Sequence, residues 1–327
     1  MLARIARNGH AGSLGGVGLG TGVLLVALGA ALWGTDGVLR VPLLREMSPA
    51  AIVLGEHLIL LFYSVPAVIL GWGSLGRLRA SGWLALLVIG WGGSALATLL
   101  FTAAFASGDP TVAILLQKTQ PLFAILLAQV LLGERLRPAY WPLFAAAMVG
   151  AYLVSFGNLS PFSALGSDAA SGALLAVGAA ALWGSSTALG RFVLRDVPFH
   201  ALTGARLLLA LPPLAAIALA QGAFGDLGAG FGSQPVRLVL LALIPGLLGL
   251  LLYYRGLSTT RASHATLAEL AFPATAVALN WALLGVGVNV GQVVGFVLLW
   301  SAIYALGRLA GRTVDDAPAD QHRQENG

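Results

Sequence analysis

The pentapeptide AALWG occurs twice in this chain, at residues 30–34 and 180–184. Each copy opens a block of hydrophobic segments, and the two blocks have nearly the same length. A duplicated block in a very apolar chain is typical of membrane transporters built from two related halves. If each half crosses the membrane an odd number of times, the second half is inverted relative to the first. The repeat therefore predicts a pseudo-two-fold axis in the membrane plane, with a substrate site between the halves.

The composition of the chain agrees with a membrane location. Hydrophobic residues make up 58% of the 327 residues and charged residues only 9%, whereas soluble domains carry about 25% charged residues. The formal net charge is +5, but the arginines lie in short loops without interleaved aromatic residues, so nucleic acid is not a predicted partner. Because Cys is absent and the five His have no metal-ligand spacing, no metal and no cofactor is predicted.

Ten apolar stretches are long enough to cross a bilayer core of about 30 Å as helices. The fold class predicted is an all-α polytopic membrane protein with ten transmembrane helices in two inverted five-helix repeats. The predicted spans are 20–40, 49–70, 83–106, 110–132, 139–157, 171–192, 200–221, 236–257, 262–284 and 289–308. The predicted units are a cytoplasmic N-terminal segment 1–19, repeats 20–157 and 171–308, a linker 158–170 and a disordered cytoplasmic tail 309–327.

The distribution of arginines orients these spans. With the N-terminus inside, thirteen arginines lie in cytoplasmic segments and only Arg40, Arg45 and Arg237 lie outside. Cytoplasmic loops carry the excess of Lys and Arg, and an even number of spans places both termini in the cytoplasm. The first apolar run has no A-x-A-like cleavage site and has a twin in mid-chain, so we interpret it as a retained span rather than a signal peptide. The predicted location is the bacterial cytoplasmic (inner) membrane.

Three motifs resemble a known family. The stretch QPLFAILLAQVLLGERL at 120–136 is similar to the hallmark of EamA-type transporters of the drug/metabolite transporter superfamily. ALWG in the first helix of each half and TGARLLLALPPLAAIAL at 203–219 also resemble that family. The resemblance covers about 20–308 and implies ten helices, two EamA repeats and export or exchange of small metabolites.

The chain also departs from the family pattern at two places. Glu56 stands where the first half often has Arg, and Gly285-Val286-Gly287 replaces the Gly-Glu turn in the second half. These departures affect the inference about substrate rather than the inference about fold.

Five charged residues fall within the predicted spans, where each costs about 2.5–3.5 kcal/mol or more near the bilayer centre. They are Asp36, Glu56, Lys118, Arg206 and Glu269. Such residues face a cavity, pair with each other or take part in transport. A structural Lys118–Glu269 or Glu56–Arg206 ion pair is the alternative to substrate binding, and Asp36 lies near the outer end, where it could reach water.

Two prolines at equivalent positions mark the predicted site. Pro121 cannot bond to the carbonyl of Gln117, and Pro273 cannot bond to the carbonyl of Glu269, so both helices are expected to bend there. Broken helices with polar groups at repeat-related positions form substrate sites in transporters. The predicted substrate-binding residues are Lys118, Glu269, Gln117, Glu56, Arg206, Trp33, Trp183 and Trp91, while Trp72, Trp83, Tyr140 and Trp141 are expected at the membrane interfaces.

The predicted function is secondary transport of a small polar or amphipathic metabolite, amino acid-like or an organic anion. Export or exchange would proceed by alternating access, with Glu269 as a candidate proton-coupling residue. The alternatives are a nucleotide-sugar or sugar-phosphate exchanger, an integral-membrane enzyme and a non-transporting scaffold. A phosphate site usually has several donors, and no cluster of His or acids at a membrane surface indicates an enzyme. The predicted partners are the substrate and membrane lipids, with a monomeric or dimeric assembly.

The arginine distribution makes a testable prediction about topology. A reporter fused after Gly157 should be detected outside the cytoplasm, and one fused after Arg312 should be detected inside. Alkaline phosphatase and green fluorescent protein fusions measure the two cases. Equal signals or the opposite assignment would contradict the inverted arrangement of the halves.

Overall fold

The computed structural model describes residues 20–107, 116–156, 170–284 and 289–315, and all regular structure in these ranges is helical. The first half contains α1 (Thr21–Trp33), α2 (Asp36–Leu43), α3 (Pro49–Leu75), α4 (Ala80–Leu87), a first π-helix (Val88–Leu96), α5 (Ala97–Ser107), α6 (Gln120–Leu132) and α7 (Tyr140–Phe156). The second half contains α8 (Ala170–Val193), α9 (Phe199–Ala220), α10 (Phe224–Ser233), α11 (Pro235–Leu241), a second π-helix (Ala242–Gly249), α12 (Leu250–Leu257), α13 (Ala262–Ala268), a 3₁₀ turn (Glu269–Ala271), α14 (Phe272–Leu284) and α15 (Val290–Asp315).

Within the described residues, six helices are long and apolar enough to cross a membrane. They are Thr21–Leu43, Pro49–Leu75, Ala80–Ala104, Gly172–Val193, Phe199–Ala220 and Pro235–Leu257. Gln120–Leu132, Tyr140–Ser155 and Val290–Leu306 are shorter apolar helices. Backbone polar groups in lipid must be satisfied inside the protein, which is why such apolar segments form helices.

The structure departs from the sequence-based expectation at several places. The polar stretch 222–235, expected to be a connector, contains α10, and Asp226 of this helix accepts a hydrogen bond from the Ser48 backbone N–H at 3.2 Å. Helix α15 continues to Asp315, so residues 309–315 are helical rather than part of a disordered tail. The predicted N-terminal segment 1–19, residues 158–169 of the predicted linker 158–170, the tail after Asp315 and the turn at 285–287 lie outside the described residues.

The helices that contain Pro121 and Pro273 are both interrupted where the sequence predicts. A turn at Lys118–Thr119 precedes α6, and the 3₁₀ turn Glu269–Ala271 separates α13 from α14. Pro121 and Pro273 lack the N–H that would continue an α-helix through these positions. The interruptions fall at equivalent positions of the two halves, 152 residues apart along the chain.

The AALWG glycines bring these interrupted helices against α1 and α8. A Cβ atom added at Gly34 would lie 2.6 Å from the Phe272 carbonyl oxygen, and one added at Gly184 would lie 2.6 Å from the Gln120 carbonyl oxygen. Gln120 and Phe272 are themselves 152 residues apart. The two halves therefore use the same glycine to make the same close backbone contact, which is the packing role of small residues in membrane helices.

Helices at equivalent positions in the two halves also pack against each other in opposite directions. In the pair α3 and α9, a Cβ on Gly71 would overlap Ala201, and a Cβ on Gly204 would lie 2.7 Å from Ala67. Residue numbers rise along one helix as they fall along the other, so the two helices are antiparallel. A two-fold axis perpendicular to the helices produces this relation.

The pair α7 and α15 repeats the antiparallel packing. A Cβ on Gly150 would lie 2.7 Å from the Leu299 backbone nitrogen, and one on Gly295 would lie 2.6 Å from the Val154 backbone nitrogen. Small residues allow the two backbones to approach closely at this crossing.

The close contact at Gly184 predicts a stability defect. We expect Gly184→Val to lower the free energy of unfolding by about 1–3 kcal/mol, because the added atoms overlap the backbone of α6. The measurement is thermal unfolding of the detergent-purified protein. Gly228→Val in α10 is the matched control, since no atom lies within 4 Å of a Cβ built there. Equal melting temperatures for the two variants would contradict the predicted packing role.

Candidate substrate site

A cavity of about 570 Å³ lies between the two halves and is lined by residues from both. Cavities that bind small molecules span about 300–1,000 Å³. Its wall follows α2 as far as the exposed Arg45, so it reaches the surface at that end of the molecule. The predicted site residues that line it are Trp33, Glu56, Gln117, Trp183, Arg206 and Glu269.

The two π-helices also contribute to the cavity wall. Gly93 and Ser94 of the first, with Pro245 and Gly246 of the second, line the cavity. Such widened turns frequently occur at functional sites. The Gly93 carbonyl accepts a hydrogen bond from the indole nitrogen of Trp183 at 2.9 Å. The sequence contains no signal that we recognised for these turns.

Glu269 is buried at the centre of a hydrogen-bonded cluster. The Tyr253 hydroxyl donates to its Oε1 at 2.9 Å, and the Thr187 hydroxyl lies 3.1 Å from the same oxygen. The Gln120 amide nitrogen donates to its Oε2. Only 6% of Glu269 is exposed, and no basic side chain forms an ion pair with it among the described residues. The Lys118–Glu269 pair considered from the sequence is therefore absent.

Gln120 is a site residue that sequence reasoning missed. Its side chain connects Glu269 to Gln117, whose amide nitrogen donates to Gln120 Oε1 at 3.1 Å. Gln120 directly precedes Pro121, and its position one turn after Gln117 is the signal that could have identified it. The two glutamines and Glu269 form a continuous polar chain from one interrupted helix to the other.

Arg206 is buried but is bound to hydroxyl groups rather than to a carboxylate. Its Nε donates to the Ser94 hydroxyl at 2.7 Å, and its Nη1 donates to the Tyr254 hydroxyl at 2.6 Å. No carboxylate lies within ion-pair distance of Arg206 among the described residues, so the Glu56–Arg206 pair is also absent. Arg206 therefore places a guanidinium in the cavity wall without a neutralising acid.

Glu56 pairs with Arg40 instead. Arg40 Nη1 lies 2.7 Å from Glu56 Oε1, and its Nε and Nη2 donate to the two Asp36 oxygens at 2.7 Å each. The sequence places Arg40 among the outer arginines and Asp36 in water, but α2 continues the first span and buries Arg40. The i,i+4 spacing of Asp36 and Arg40 on one helix is the signal that predicts their pair.

Two predicted site residues lie outside the cavity wall. Trp91 is 51% exposed on the surface of the bundle, because its neighbours Gly93 and Ser94 face inward. Lys118 is buried with its Nζ 3.7 Å from the centre of the Phe272 ring, and it has no hydrogen-bond partner among the described residues. Trp91 is therefore corrected to a surface position, whereas Lys118 stays next to a ring that lines the cavity.

The cavity wall contains two aromatic pairs. The rings of Trp33 and Tyr253 lie 5.1 Å apart, and those of Phe101 and Trp183 lie 5.2 Å apart. Because the tryptophans occupy equivalent positions in the two halves, the cavity has an aromatic residue pair on each side. Such surfaces favour a ligand with a flat ring system.

Glu134 joins the end of α6 to the start of α13. This carboxylate accepts hydrogen bonds from the backbone N–H groups of Ala262 and Ser263 at 2.8 and 3.1 Å and from the Ser263 hydroxyl at 2.6 Å. It follows Gly133, which ends α6 in a left-handed conformation, and it caps the start of α13. Tyr140 contacts the same place, since its hydroxyl donates to the Ser263 carbonyl at 2.7 Å. Tyr140 is thus buried within the bundle rather than exposed on its surface.

Comparison with known proteins assigns the family. The model of the EamA-like transporter family matches twice, at residues 20–156 and 170–308. The chain belongs to the EamA-like transporter family. It is 30% identical over 294 residues to a riboflavin transporter, ImpX, of Fusobacterium nucleatum, covering 88% of this chain and 98% of that protein. A solved crystal structure with 17% identity superimposes with a TM-score of 0.69, covering 88% of this chain and 98% of that one, which supports the fold alone.

The family assignment agrees with the resemblance seen in the sequence and with a membrane transporter. The Gly-Glu turn of the first repeat has a structural role, because Glu134 joins α6 to α13.

The buried ion network beside the cavity predicts a stability effect. We expect Arg40→Met to destabilise the transporter by about 3–5 kcal/mol, because it leaves two carboxylates facing each other without a cation. Thermal unfolding in detergent measures the loss, and Glu56→Gln in the same chain should restore part of it. Arg195→Met, at an exposed position, serves as control. A melting temperature for Arg40→Met equal to that of the control would contradict the network's role.

Proposed function

We propose that this transporter carries a small amphipathic metabolite with a flat aromatic ring and polar groups, of the riboflavin class, by alternating access. The observation that carries the proposal is the cavity between the repeats, which combines aromatic pairs with a buried carboxylate and a buried guanidinium. The name of the related riboflavin transporter supports this choice of substrate.

The proposed architecture is ten membrane crossings in two inverted five-helix repeats, 20–157 and 171–308, in the bacterial inner membrane with both termini cytoplasmic. Antiparallel packing of α3 with α9 and of α7 with α15 supports the inverted relation. The excess of arginine in one set of loops supports the orientation. In this orientation the cavity opens outward and Glu134 closes the cytoplasmic end.

The chemistry of the cavity suits each part of such a substrate. A flat ring can stack against the Trp33–Tyr253 and Phe101–Trp183 pairs. Ring carbonyl oxygens accept hydrogen bonds from Arg206, and a hydroxylated chain can bond with the Asp36–Arg40–Glu56 network. The wall is largely aromatic and apolar with a few placed polar groups, as in most small-molecule sites.

A second candidate is the amino acid-like or organic anion substrate predicted from the sequence. Arg206 favours it, because a guanidinium that lacks a carboxylate partner can bind the carboxylate of a ligand. The nucleotide-sugar or sugar-phosphate alternative has less support, since among the described residues Arg206 is the one buried guanidinium of the cavity wall without an acid partner, and Arg45 lies exposed at the surface.

Export or exchange is the proposed direction, with Glu269 as the coupling group. Buried carboxylates in membrane helices serve as proton relays. Glu269 lines the cavity and is bonded to hydroxyl and amide groups rather than paired to a cation, so its charge can respond to the substrate and to the solvent in the cavity.

Transport measurements test this function. Proteoliposomes containing the wild-type protein should exchange riboflavin, and an imposed pH gradient should drive its accumulation. We expect Arg206→Met to raise the KM about tenfold or more, because a hydrogen bond to a charged group contributes about 1.5–3 kcal/mol. Glu269→Gln should exchange riboflavin without responding to the gradient.

The controls separate the two candidate substrates and the coupling. Amino acids and organic acids are added as competitors, and Arg195→Met is the matched arginine variant. If a carboxylated competitor is transported and riboflavin is not, the second candidate replaces the first. If wild type only equilibrates its substrate whatever the gradient, Glu269 is not a coupling residue.

A further inference from the structure

The polar chain formed by Gln117, Gln120 and Glu269 has a fixed hydrogen-bond direction. An ionised carboxylate only accepts hydrogen bonds, so Gln120 must turn its NH₂ group toward Glu269 and its carbonyl oxygen toward Gln117. Gln117 must then turn its own NH₂ group toward Gln120, as observed at 3.1 Å. The carbonyl oxygen of Gln117 is the group that remains.

That remaining oxygen has no partner. Gln117 lines the cavity, and its Oε1 is buried without a hydrogen bond among the described residues. A buried acceptor without a donor costs about 1–3 kcal/mol. This oxygen is itself covered, so a ligand N–H or O–H reaches it when the Gln117 side chain turns toward the cavity, and the wall then presents an acceptor at this point.

Protonation of Glu269 would reverse the whole chain. Tyr253 donates to Oε1, so the proton is taken up on Oε2, the oxygen that faces Gln120. A protonated carboxyl then donates to Gln120, whose amide must rotate by half a turn to present its oxygen. Its NH₂ group now faces Gln117, and Gln117 rotates in turn. The terminal amide torsion has a broad two-fold profile, so these rotations are inexpensive.

From this geometry we infer that Gln120 is a positioning residue. Through Gln120, the protonation state of Glu269 decides whether Gln117 presents a hydrogen-bond acceptor or a hydrogen-bond donor. The cavity wall presents an acceptor when Glu269 is ionised and a donor when it is protonated. No bond forms or breaks other than the O–H bond of Glu269, whose proton comes from solvent in the cavity. The inference rests on the proposed coupling role of Glu269 and assigns the substrate a hydrogen-bond donor at Gln117.

The ionisable groups around this chain are few. Tyr253 and Tyr254 of α12 lie beside Glu269, and Arg206 of α9 donates a hydrogen bond to the Tyr254 hydroxyl. Lys118 lies beside α6, and His264 is on the preceding α13. Helix α1 has no ionisable side chain. Tyrosines with ordinary acidity stay neutral near neutral pH, and Lys118 has no hydrogen bond to the chain.

The imide N–H of a flavin ring is the donor that the ionised state would recognise. We expect the KM for riboflavin to rise about three- to tenfold as Glu269 becomes protonated. The flavin N–H then faces the NH₂ group of Gln117 instead of its carbonyl oxygen, so a hydrogen bond is lost and two donors face each other. The KM is measured in proteoliposomes with equal pH on both sides, from mildly acidic to mildly alkaline solution. Glu269→Gln, which can donate permanently, should show the acidic KM at every pH.

Gln120→Met tests the relay directly, because it keeps the length of the side chain and removes both hydrogen bonds. We expect the KM of this variant to be independent of pH. Gln221→Met makes the same change at an exposed position and should retain the wild-type pH dependence. A pH-dependent KM in Gln120→Met equal to that of wild type would overturn the inference.

Infrared difference spectroscopy provides a measurement that needs no substrate. In protein with isotope-labelled glutamine side chains, the amide carbonyl bands of Gln117 and Gln120 should shift together with the carboxyl band of Glu269 as the pH is changed. The shift should be lost in Glu269→Gln and Gln120→Met. Amide bands that stay constant while the Glu269 band titrates, or no Glu269 band at all, overturn the relay. If the coupled band shifts are measured in a protein that does not transport riboflavin, the proposed substrate is wrong but the relay is supported.

Discussion

The missing backbone N–H groups of Pro121 and Pro273 set the geometry on which the cavity depends. Each proline interrupts its helix one turn after a polar side chain, and each interruption places a backbone carbonyl against an AALWG glycine of the other half. The glycine and the proline therefore act together. Without the glycine the helices could not approach, and without the proline no polar chain would cross from one half to the other.

Two pairs of equivalent positions near the cavity show how a duplicated structure becomes asymmetric. Gln117 and Glu269 occupy equivalent places in the two halves, as do Glu56 and Arg206. One member of each pair is an acid, and the partners it finds differ: Glu56 binds Arg40, whereas Glu269 binds neutral groups. The repeat supplies a symmetric frame, and differences at single positions within it give a cavity in which one acid, Glu269, is bonded only to neutral groups.

Much of this arrangement could be predicted from the sequence, because it depends on local or repeated patterns. The family resemblance, the two repeats and the interrupted helices follow from AALWG, the Pro-to-Gly-Glu element and the two prolines. The cavity positions of Glu269 and Arg206 follow from the cost of burying charge. These features depend on the order and spacing of residues within single segments of the chain.

The features that the sequence did not reveal depend on contacts between distant segments. Arg40 was counted with the outer loops because nothing local shows that α2 continues the first span and reaches Glu56. Gln120 could not be distinguished from other polar residues by its sequence context, because its partner Glu269 belongs to the other half. Trp91 lies in a π-helix and is exposed, and hydropathy does not detect such a turn.

Glu134 ties the end of α6 to the start of α13, and the residue at the equivalent position of the second half is Val286. A valine side chain cannot accept a hydrogen bond, so in the proposed alternating-access cycle the closing of the two ends would differ in free energy. Such a difference would not drive net flux in either direction, because a carrier at equilibrium must satisfy detailed balance. It would set which face the empty carrier presents at rest, and hence how unequal the half-saturation concentrations are on the two sides of the membrane.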